Sequence, residues 1–266
     1  MKSDLFKGFE EGQKIYGLLG HKLGHSYSPQ IHSLLGFAGQ RRYTYGLFPA
    51  EPEDIEEILA TENLRGLNVT IPYKQTVLAF CDEISPEVLR IGAANTLVKR
   101  DGKITAYNTD IYGFRYMVYA SGIQVGGKKV LVLGSGGASK AVVCALEDLG
   151  AREIVIISRT GANSYKNLDL HADADIIVNT TPVGMYPNNM ERPLDIGLFP
   201  NLCGVLDIVY NPEITGLLLD AEERGIPHAG GLHMLVAQAK QAYELFTDKK
   251  LPEKVINEIV TALRND

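Results

Sequence analysis

Three groups of residues in this chain have types and spacings that could do chemistry. The first is Gly134, Gly136 and Gly137, with Ser135 and Ala138 among them, in the run VLVLGSGGASKA. Glycines directly after an apolar, β-branched-rich run suit a backbone that turns tightly and then approaches a pyrophosphate. The helix that follows would present its free N–H groups to the phosphates. Ser139 stands where the usual G-x-G-x-x-G pattern has its third glycine. The second group is Ser158, Arg159 and Thr160, at the end of the next apolar run. An unphosphorylated ribose wants an acid there, whereas a guanidinium between two hydroxyls can pair with a 2′-phosphate. The pattern therefore points to NADP rather than NAD. The third group comes earlier in the chain: Ser26 and Ser28, then Asn68, Thr70 and Lys74, then Asn95, Asn108 and Asp110.

Each member of the third group has two readings. Asn68, Thr70 and Lys74 cluster around the C-terminal end of a strand expected over 67–71, where open α/β sheets place ligands. Pro72 marks the end of that strand, and Lys74 is expected to begin the following helix, where the macrodipole mildly disfavours a cation. Lys74 reads either as a solvated lysine or as an acid–base group. Ser26 and Ser28 precede a helix with Pro29 in its first turn. In an extended segment their hydroxyls would point the same way and could clamp a carboxylate; alternatively Ser28 simply caps the helix. Asn95, Asn108 and Asp110 offer amides and a carboxylate suited to a polyhydroxylated ligand. Asp110 either caps a helix beginning near Tyr112 or orients a hydroxyl. His21, His25 and His32 lack a recognised ligand spacing, so no metal is expected.

The elements that would position these residues alternate between strand and helix. Strands are expected over 15–19, 43–48 and 67–71, with a hairpin of 95–99 and 103–107 turning at Asp101 and Gly102. Further on, strands at 130–133, 154–157, 175–180 and 202–210 alternate with a helix that Gly150 stops and another, 215–224, that Gly225 closes. Helices at 234–246 and 252–263 end the chain. The fold class is α/β, with an N-terminal, mainly parallel substrate domain and a doubly wound, Rossmann-type nucleotide domain. The 266 residues are 45% hydrophobic and 22% charged with a formal charge of −6, which suits a globular protein and gives no sign of a nucleic-acid surface. Cys81, Cys144 and Cys203 match neither a disulfide framework nor a metal site, and a reducing, cytoplasmic setting is expected. The first residues show no apolar signal core, and no membrane span is expected.

Read together, HSYSP at 25–29, NVTIPYK at 68–74, GAANT at 92–96 and NTD at 108–110 resemble the shikimate dehydrogenase family. So do GSGGASKA at 134–141, SRT at 158–160, NTTPVGM at 179–185, DIVYNP at 207–212 and GGLHMLVAQA at 230–239. The ordered set spans nearly the whole chain. The resemblance implies NADPH-dependent reduction of 3-dehydroshikimate to shikimate, on the way to chorismate, by a two-domain enzyme with a cleft between its domains. It implies a substrate and catalytic domain of 1–110 with 232–266, around a nucleotide domain of 111–231. On matching residues, Ser26 and Ser28 would bind the substrate carboxylate. Asn68, Thr70, Asn95, Asp110 and Gln238 would hold the ring hydroxyls, and Tyr210 would approach the substrate. Lys74 would be the acid–base residue and Asp110 its partner. The cofactor would meet the glycine turn, Ser158 to Thr160, the loop of Thr180, Thr181 and Pro182, Met185 and Gly231. The protein would be a monomer or a homodimer acting on a small molecule, without nucleic acid or membrane.

The chain departs from that pattern in places. The selector is SRT, where the family often has NRT with another base soon after; here the second phosphate contact is either absent or comes from Lys166. Only 19 residues separate Arg159 from Asn179, too few for a complete crossover helix with its loops, so a thinly covered sheet face is expected. Ile111 and Tyr112 follow Asp110 where glycine is common. Two other readings are an NAD-preferring quinate/shikimate dehydrogenase and a ligand-binding or regulatory homologue with little catalysis.

Overall fold

The structure is a computed structural model that describes residues 9–10, 12–24 and 26–265. The chain divides into two compact units, Met1–Thr109 with Ala239–Asp266, and Asp110–Gln238.

The first unit holds β1 (Ile15–Gly20), α1 (Ser28–Ala38), β2 (Tyr45–Pro49), α2 (Ile55–Ala60), β3 (Leu64–Val69), β4 (Glu83–Ile84), α3 (Pro86–Ile91), β5 (Thr96–Arg100) and β6 (Lys103–Tyr107). They form one six-stranded sheet in the order β2-β1-β3-β5-β6-β4. All six residues of β1 are buried, as a central strand covered on both faces requires. Leu19, Phe48, Ile55, Leu64 and Leu67 pack in its core, where full burial stabilises by about 1.5–3 kcal/mol per large side chain. The β5–β6 hairpin turns at Asp101 and Gly102, both at positive φ (50° and 79°), the pairing a two-residue hairpin turn demands.

β5 is antiparallel to both its neighbours, while β1, β2 and β3 run parallel. The start of β5 therefore lies beside the ends of β3 and β6. In register, Leu18 pairs with Asn68, Asn68 with Thr96, and Thr96 with Tyr107. One end of the sheet thus gathers the loops after β1, β3 and β6 and the loop before β5.

The second unit holds α4 (Asp110–Ser121), β7 (Lys129–Leu133), α5 (Gly137–Asp148), β8 (Glu153–Ile157), β9 (Ile176–Asn179), β10 (Gly204–Asp207), α6 (Gly216–Glu223) and β11 (His228–Gly230). Its five strands are all parallel, in the order β11-β10-β9-β7-β8. This is the 2-1-3-4-5 form of a doubly wound sheet, whose order reverses at β7 and so places a ligand crevice beyond its C-terminal end. The passage from β8 to β9 contains only a 3-10 turn, Leu168–His171. The sheet face it crosses is nonetheless covered: Leu131, Leu133, Val155 and Ile157 are buried against Leu168, Leu194, Phe199 and Leu217. The thin cover expected from the short passage is absent because side chains from the segment after β9 fill the layer.

α7 (Leu232–Thr247) and α8 (Lys254–Arg264) close the chain, and α8 packs on α1 in the first unit. The units divide at Thr109/Asp110 and at Gln238/Ala239, where the sequence reading placed the divisions at 110/111 and 231/232. The second division falls inside α7 because that helix is unbroken. Among the described residues, no helix is long and apolar enough to cross a membrane, and no group of His, Cys, Asp and Glu could hold a metal ion. His25, part of the histidine pattern weighed for a metal, lies outside the described residues.

Candidate active site

In the first unit, one sheet end brings Ser26, Ser28, Asn68, Thr70, Lys74 and Asn95 together. Asn68 is the best held of them. Its Nδ2 donates to Thr96 Oγ1 at 3.1 Å, and its Oδ1 accepts the Tyr45 hydroxyl at 2.8 Å. Tyr45 lies under the ring of His32, with centroids 3.9 Å apart and planes 8° from parallel. His32 is also hydrogen-bonded through Nδ1 to the Tyr43 hydroxyl at 3.1 Å. Burial pushes His32 down to about 3 and raises Tyr45 well above the ordinary phenol range, so near neutrality this layer is uncharged. Sequence reasoning missed Tyr45 and His32 as supports; their partners are 23 residues or a helix away, and no local pattern marks them.

Asn95 is 3% exposed. Its Oδ1 accepts the Thr109 N–H at 2.7 Å, and its Nδ2 donates to Thr109 Oγ1 at 3.0 Å. Asn108 donates to the Ala93 carbonyl at 2.9 Å. These bonds fix the backbone that leads into Asp110. Asn95 thus builds the floor of the site.

Two local expectations change. Ser28 is not a side-chain cap but the first residue of α1; Tyr27 holds the cap position in αR conformation, with no side-chain cap bond. The segment is therefore bent rather than extended, and Ser26 Oγ accepts the Ser28 N–H at 3.2 Å. The Ser28 hydroxyl reaches toward the Tyr45 phenol. Lys74 does not begin a helix. β3 ends at Val69, and 71–75 form turns before a 3-10 helix, Thr76–Phe80. Lys74 is pinned by its backbone, whose carbonyl accepts the Ala94 N–H at 2.8 Å, and by buried Tyr73, whose hydroxyl donates to the Ala50 carbonyl at 2.6 Å. Thr70 sits across from Gly20, where a Cβ would come within 2.5 Å of the threonine methyl.

In the second unit the glycine turn opens beyond β7. Gly134 has φ +101° and backs onto Thr180 and Thr181, so a side chain there would be both strained and crowded. Gly136 and Gly137 face open space, and Ser135 is exposed beside them. Ser139, in the place of the third glycine, is buried and donates to the Gly136 carbonyl at 2.7 Å, which braces the turn. α5 begins with neither a side-chain cap bond nor an acid in its first turn. Its first N–H groups and positive dipole end are therefore available to an anion. The residues present fit a dinucleotide.

The selector residues are set by a tight loop. Ser158 Oγ donates to the Thr160 carbonyl, and Ser158 N–H to the Asn163 carbonyl at 3.2 Å. Arg159 is exposed, and its guanidinium acts on Tyr165 across the loop. Lys166 is exposed on the same loop. At the other wall, Thr180 Oγ1 donates to the Leu133 carbonyl at 2.6 Å, tying the β9 loop to the end of β7. Pro182 and Met185 are exposed, so Met185 does not fill core.

A buried network unforeseen from sequence supports that wall. Asp207 is fully buried and accepts Asn179 Nδ2 at 3.0 Å, the Val209 N–H at 3.0 Å and the Thr215 hydroxyl at 2.8 Å. Asn179 Oδ1 in turn accepts the Thr181 N–H and hydroxyl at 3.0 and 2.7 Å. Burial lifts Asp207 to about 6, while its three hydrogen bonds pull the other way. Tyr210 lies in the loop that follows. Gly231 donates its N–H to the Val209 carbonyl at 2.9 Å, and a Cβ there would strike the Ile208 carbonyl oxygen. Gly113, one turn after Asp110, packs so close to α7 that a Cβ would lie 2.6 Å from the Met234 carbonyl oxygen and 3.0 Å from Gln238 Cβ. Asp110 and Gln238 thus sit on two helices in near-backbone contact.

A doubly wound sheet with an open glycine turn, joined in one chain to a second α/β unit that gathers hydroxyls, amides and a lysine at one sheet end, defines a dinucleotide-dependent oxidoreductase of small polar substrates. Comparison with known proteins narrows this. The shikimate dehydrogenase substrate binding domain matches residues 18–97, and the shikimate 5'-dehydrogenase C-terminal domain matches residues 231–261. The chain is 36% identical over 267 residues to the shikimate dehydrogenase (NADP(+)) of Clostridium beijerinckii, covering 95% of this chain and 99% of that one. Its fold matches a chorismate mutase/shikimate 5-dehydrogenase fusion protein from Clostridium acetobutylicum with TM-score 0.91 and 36% identity, over 96% and 98% of the two chains. It also matches the shikimate 5-dehydrogenase of Thermus thermophilus, solved in complex with NADP(H) and shikimate, with TM-score 0.83 and 32% identity over 94% and 99%. The chain belongs to the shikimate dehydrogenase family.

Proposed function

We propose that this chain catalyses the reversible NADPH-dependent reduction of 3-dehydroshikimate to shikimate in chorismate and aromatic amino acid biosynthesis. The observation that carries the reading is the assembly of Ser26, Ser28, Asn68, Thr70, Lys74 and Asn95 at one sheet end, in a chain that aligns over 95% of its length with a curated shikimate dehydrogenase.

Bound NADPH supplies the hydride that the substrate's carbonyl carbon receives. Ser26 and Ser28 hold the carboxylate, and Asn68, Thr70, Asn95 and Gln238 hold the hydroxyls. Lys74 stabilises the negative charge that develops on the carbonyl oxygen and delivers the proton; in the reverse direction it takes the proton back. Asp110 is its partner and bonds the reacting hydroxyl, and Tyr210 completes the set. Gly134 to Ala138 and the start of α5 hold the pyrophosphate. Ser158, Arg159 and Thr160 hold the 2′-phosphate, while Thr180, Thr181, Pro182, Met185 and Gly231 line the nicotinamide end. The nucleotide-binding unit spans 111–231 in this reading. The protein works in the cytoplasm as a monomer or homodimer, without nucleic acid.

Purified protein given 3-dehydroshikimate and NADPH should form shikimate, identified chromatographically, in step with NADPH consumption. Protein that binds both compounds and forms no shikimate would overturn the reading.

A further inference from the structure

The end of the first sheet opposite Lys74 carries a groove of about 610 Å³ that the proposed reaction does not use. It lies where β1 and β3 begin and β5 ends, beside the end of α7, within the first unit. Cations from separate elements converge on it: Arg41 after α1, Arg65 on β3, and Lys99 and Arg100 on β5. Arg100 is paired with Asp248 at 2.7 Å. The others are held by backbone carbonyls instead: Arg41 by Thr247 at 3.1 Å, Arg65 by Glu62 and Leu64 at 2.8 and 2.9 Å, and Lys99 by Leu59 and Thr61 at 2.7 and 3.1 Å. None of these three forms an ion pair with a described carboxylate, although Glu62 and Asp101 also line the groove. Each arginine keeps further N–H donors beyond those the carbonyls take.

The second observation is Tyr16. It is 5% exposed and lines the groove, yet its hydroxyl makes no hydrogen bond to a described residue. Tyr43 and Tyr45 in the same cluster use theirs, whereas the hydroxyl of Tyr243, which does not line the groove, has no partner either among the described residues. The guanidinium charges of Arg41, Arg65 and Arg100 all bear on it. Its ring lies against that of Phe246, with centroids 5.6 Å apart, and both rings border the groove. The Tyr16 ring is buried while its hydroxyl faces the groove, so it can donate to an oxygen bound there. A planar carboxylate is matched by one guanidinium fork, whereas donors arriving from three elements suit the several oxygens of a phosphoryl group. The aromatic floor suits an organic body attached to it.

We propose that this groove is a binding site for a small phosphomonoester, gripped by Arg41, Arg65, Lys99 and the Tyr16 hydroxyl, separate from the Lys74 site. The inference stands whether or not the proposed reaction is right. Calorimetric titration of the full chain at low ionic strength with phenyl phosphate, inorganic phosphate and benzoate tests it. Phenyl phosphate should bind most tightly and benzoate most weakly. Arg41→Met and Arg65→Met should each weaken phenyl phosphate about tenfold, the size of a lost charged contact. Tyr16→Phe keeps the packed rings and should weaken it about threefold with no change in Tm, which covers the case of an arginine variant that fails to fold. Arg159→Ala, at the nucleotide selector, should leave this binding in place, and saturating shikimate should not compete. No binding, binding unaffected by the groove variants, benzoate bound as tightly as phenyl phosphate, loss with Arg159→Ala, or competition by shikimate would each overturn the proposal.

Discussion

At the Lys74 end of the first sheet, polar side chains are locked into one another: His32 on Tyr45, Tyr45 on Asn68, Asn68 on Thr96, Asn95 on Thr109. At the nucleotide turn of the second unit, the groups facing outward are exposed glycines, a serine and Arg159, shaped mainly by backbone. In the proposed function, the difference follows from what each region would recognise. A ring with several hydroxyls needs donors fixed in direction, and fixing them takes a buried shell of partners. A pyrophosphate needs only close backbone approach and a helix start, and a 2′-phosphate needs a charge within reach. Substitutions in the first region should therefore disturb chemistry and specificity together. Those at the nucleotide turn should change affinity and little else.

The largest expected effect is at Lys74. Lys74→Ala should lower kcat about a hundredfold or more, the usual size of lost acid–base help, and change KM much less. Its backbone carbonyl bond to Ala94 survives the substitution, so the turn should hold. Near-normal turnover would mean this end of the sheet binds without catalysing. Replacing both Ser26 and Ser28 with Ala should mainly raise KM for shikimate, by roughly 3 kcal/mol for two lost bonds to a carboxylate. Steady-state kinetics would show a fall in kcat instead if the serines served only to shape the turn. At the open region, Arg159→Ala should weaken NADP by about 1.5–3 kcal/mol and NAD less, with high salt narrowing the gap because the residue is exposed. Equal losses for both nucleotides, measured as dissociation constants, would show that Arg159 does not read the phosphate.

The smallest effect probes the wall behind the nucleotide turn. Asp207 is raised to about 6 in the folded protein by burial. A carboxyl whose folded value exceeds its unfolded one binds more protons when folded, so stability is lost as pH rises between the two values. Relative to Asp207→Asn, the parent should therefore lose about 2 kcal/mol of stability between about pH 4 and pH 7. Denaturation curves of the two proteins that stay parallel across that range would contradict the burial of a titrating Asp207.

The same contrast explains what the sequence made legible. The glycine turn, the strands flanking it and the Asp101–Gly102 hairpin announce themselves through local rules of backbone conformation. Lys74, Asn68 and the serine pair were visible as candidates because they sit at a strand end or before a helix. Their supports were not. Tyr45 meets Asn68 across the intervening strand β1, and Asp207 meets Asn179 across 28 residues, so only the folded sheet reveals either pair. Local reasoning also misplaced two starts. α1 begins at Ser28 because Tyr27 already adopts αR, and Lys74 lies in consecutive turns rather than at a helix end. The two-residue strand β4 was too short to carry any periodic signal.

The central claim is that one chain joins a polyol-carboxylate site to an NADP site. It is tested most directly by steady-state rates of the purified parent protein with shikimate and quinate, each against NADP and NAD. The highest kcat/KM should fall to shikimate with NADP, with the serine pair favouring shikimate and Arg159 favouring the phosphorylated nucleotide. A parent protein that prefers quinate with NAD, or that turns over none of the four pairs, would contradict it.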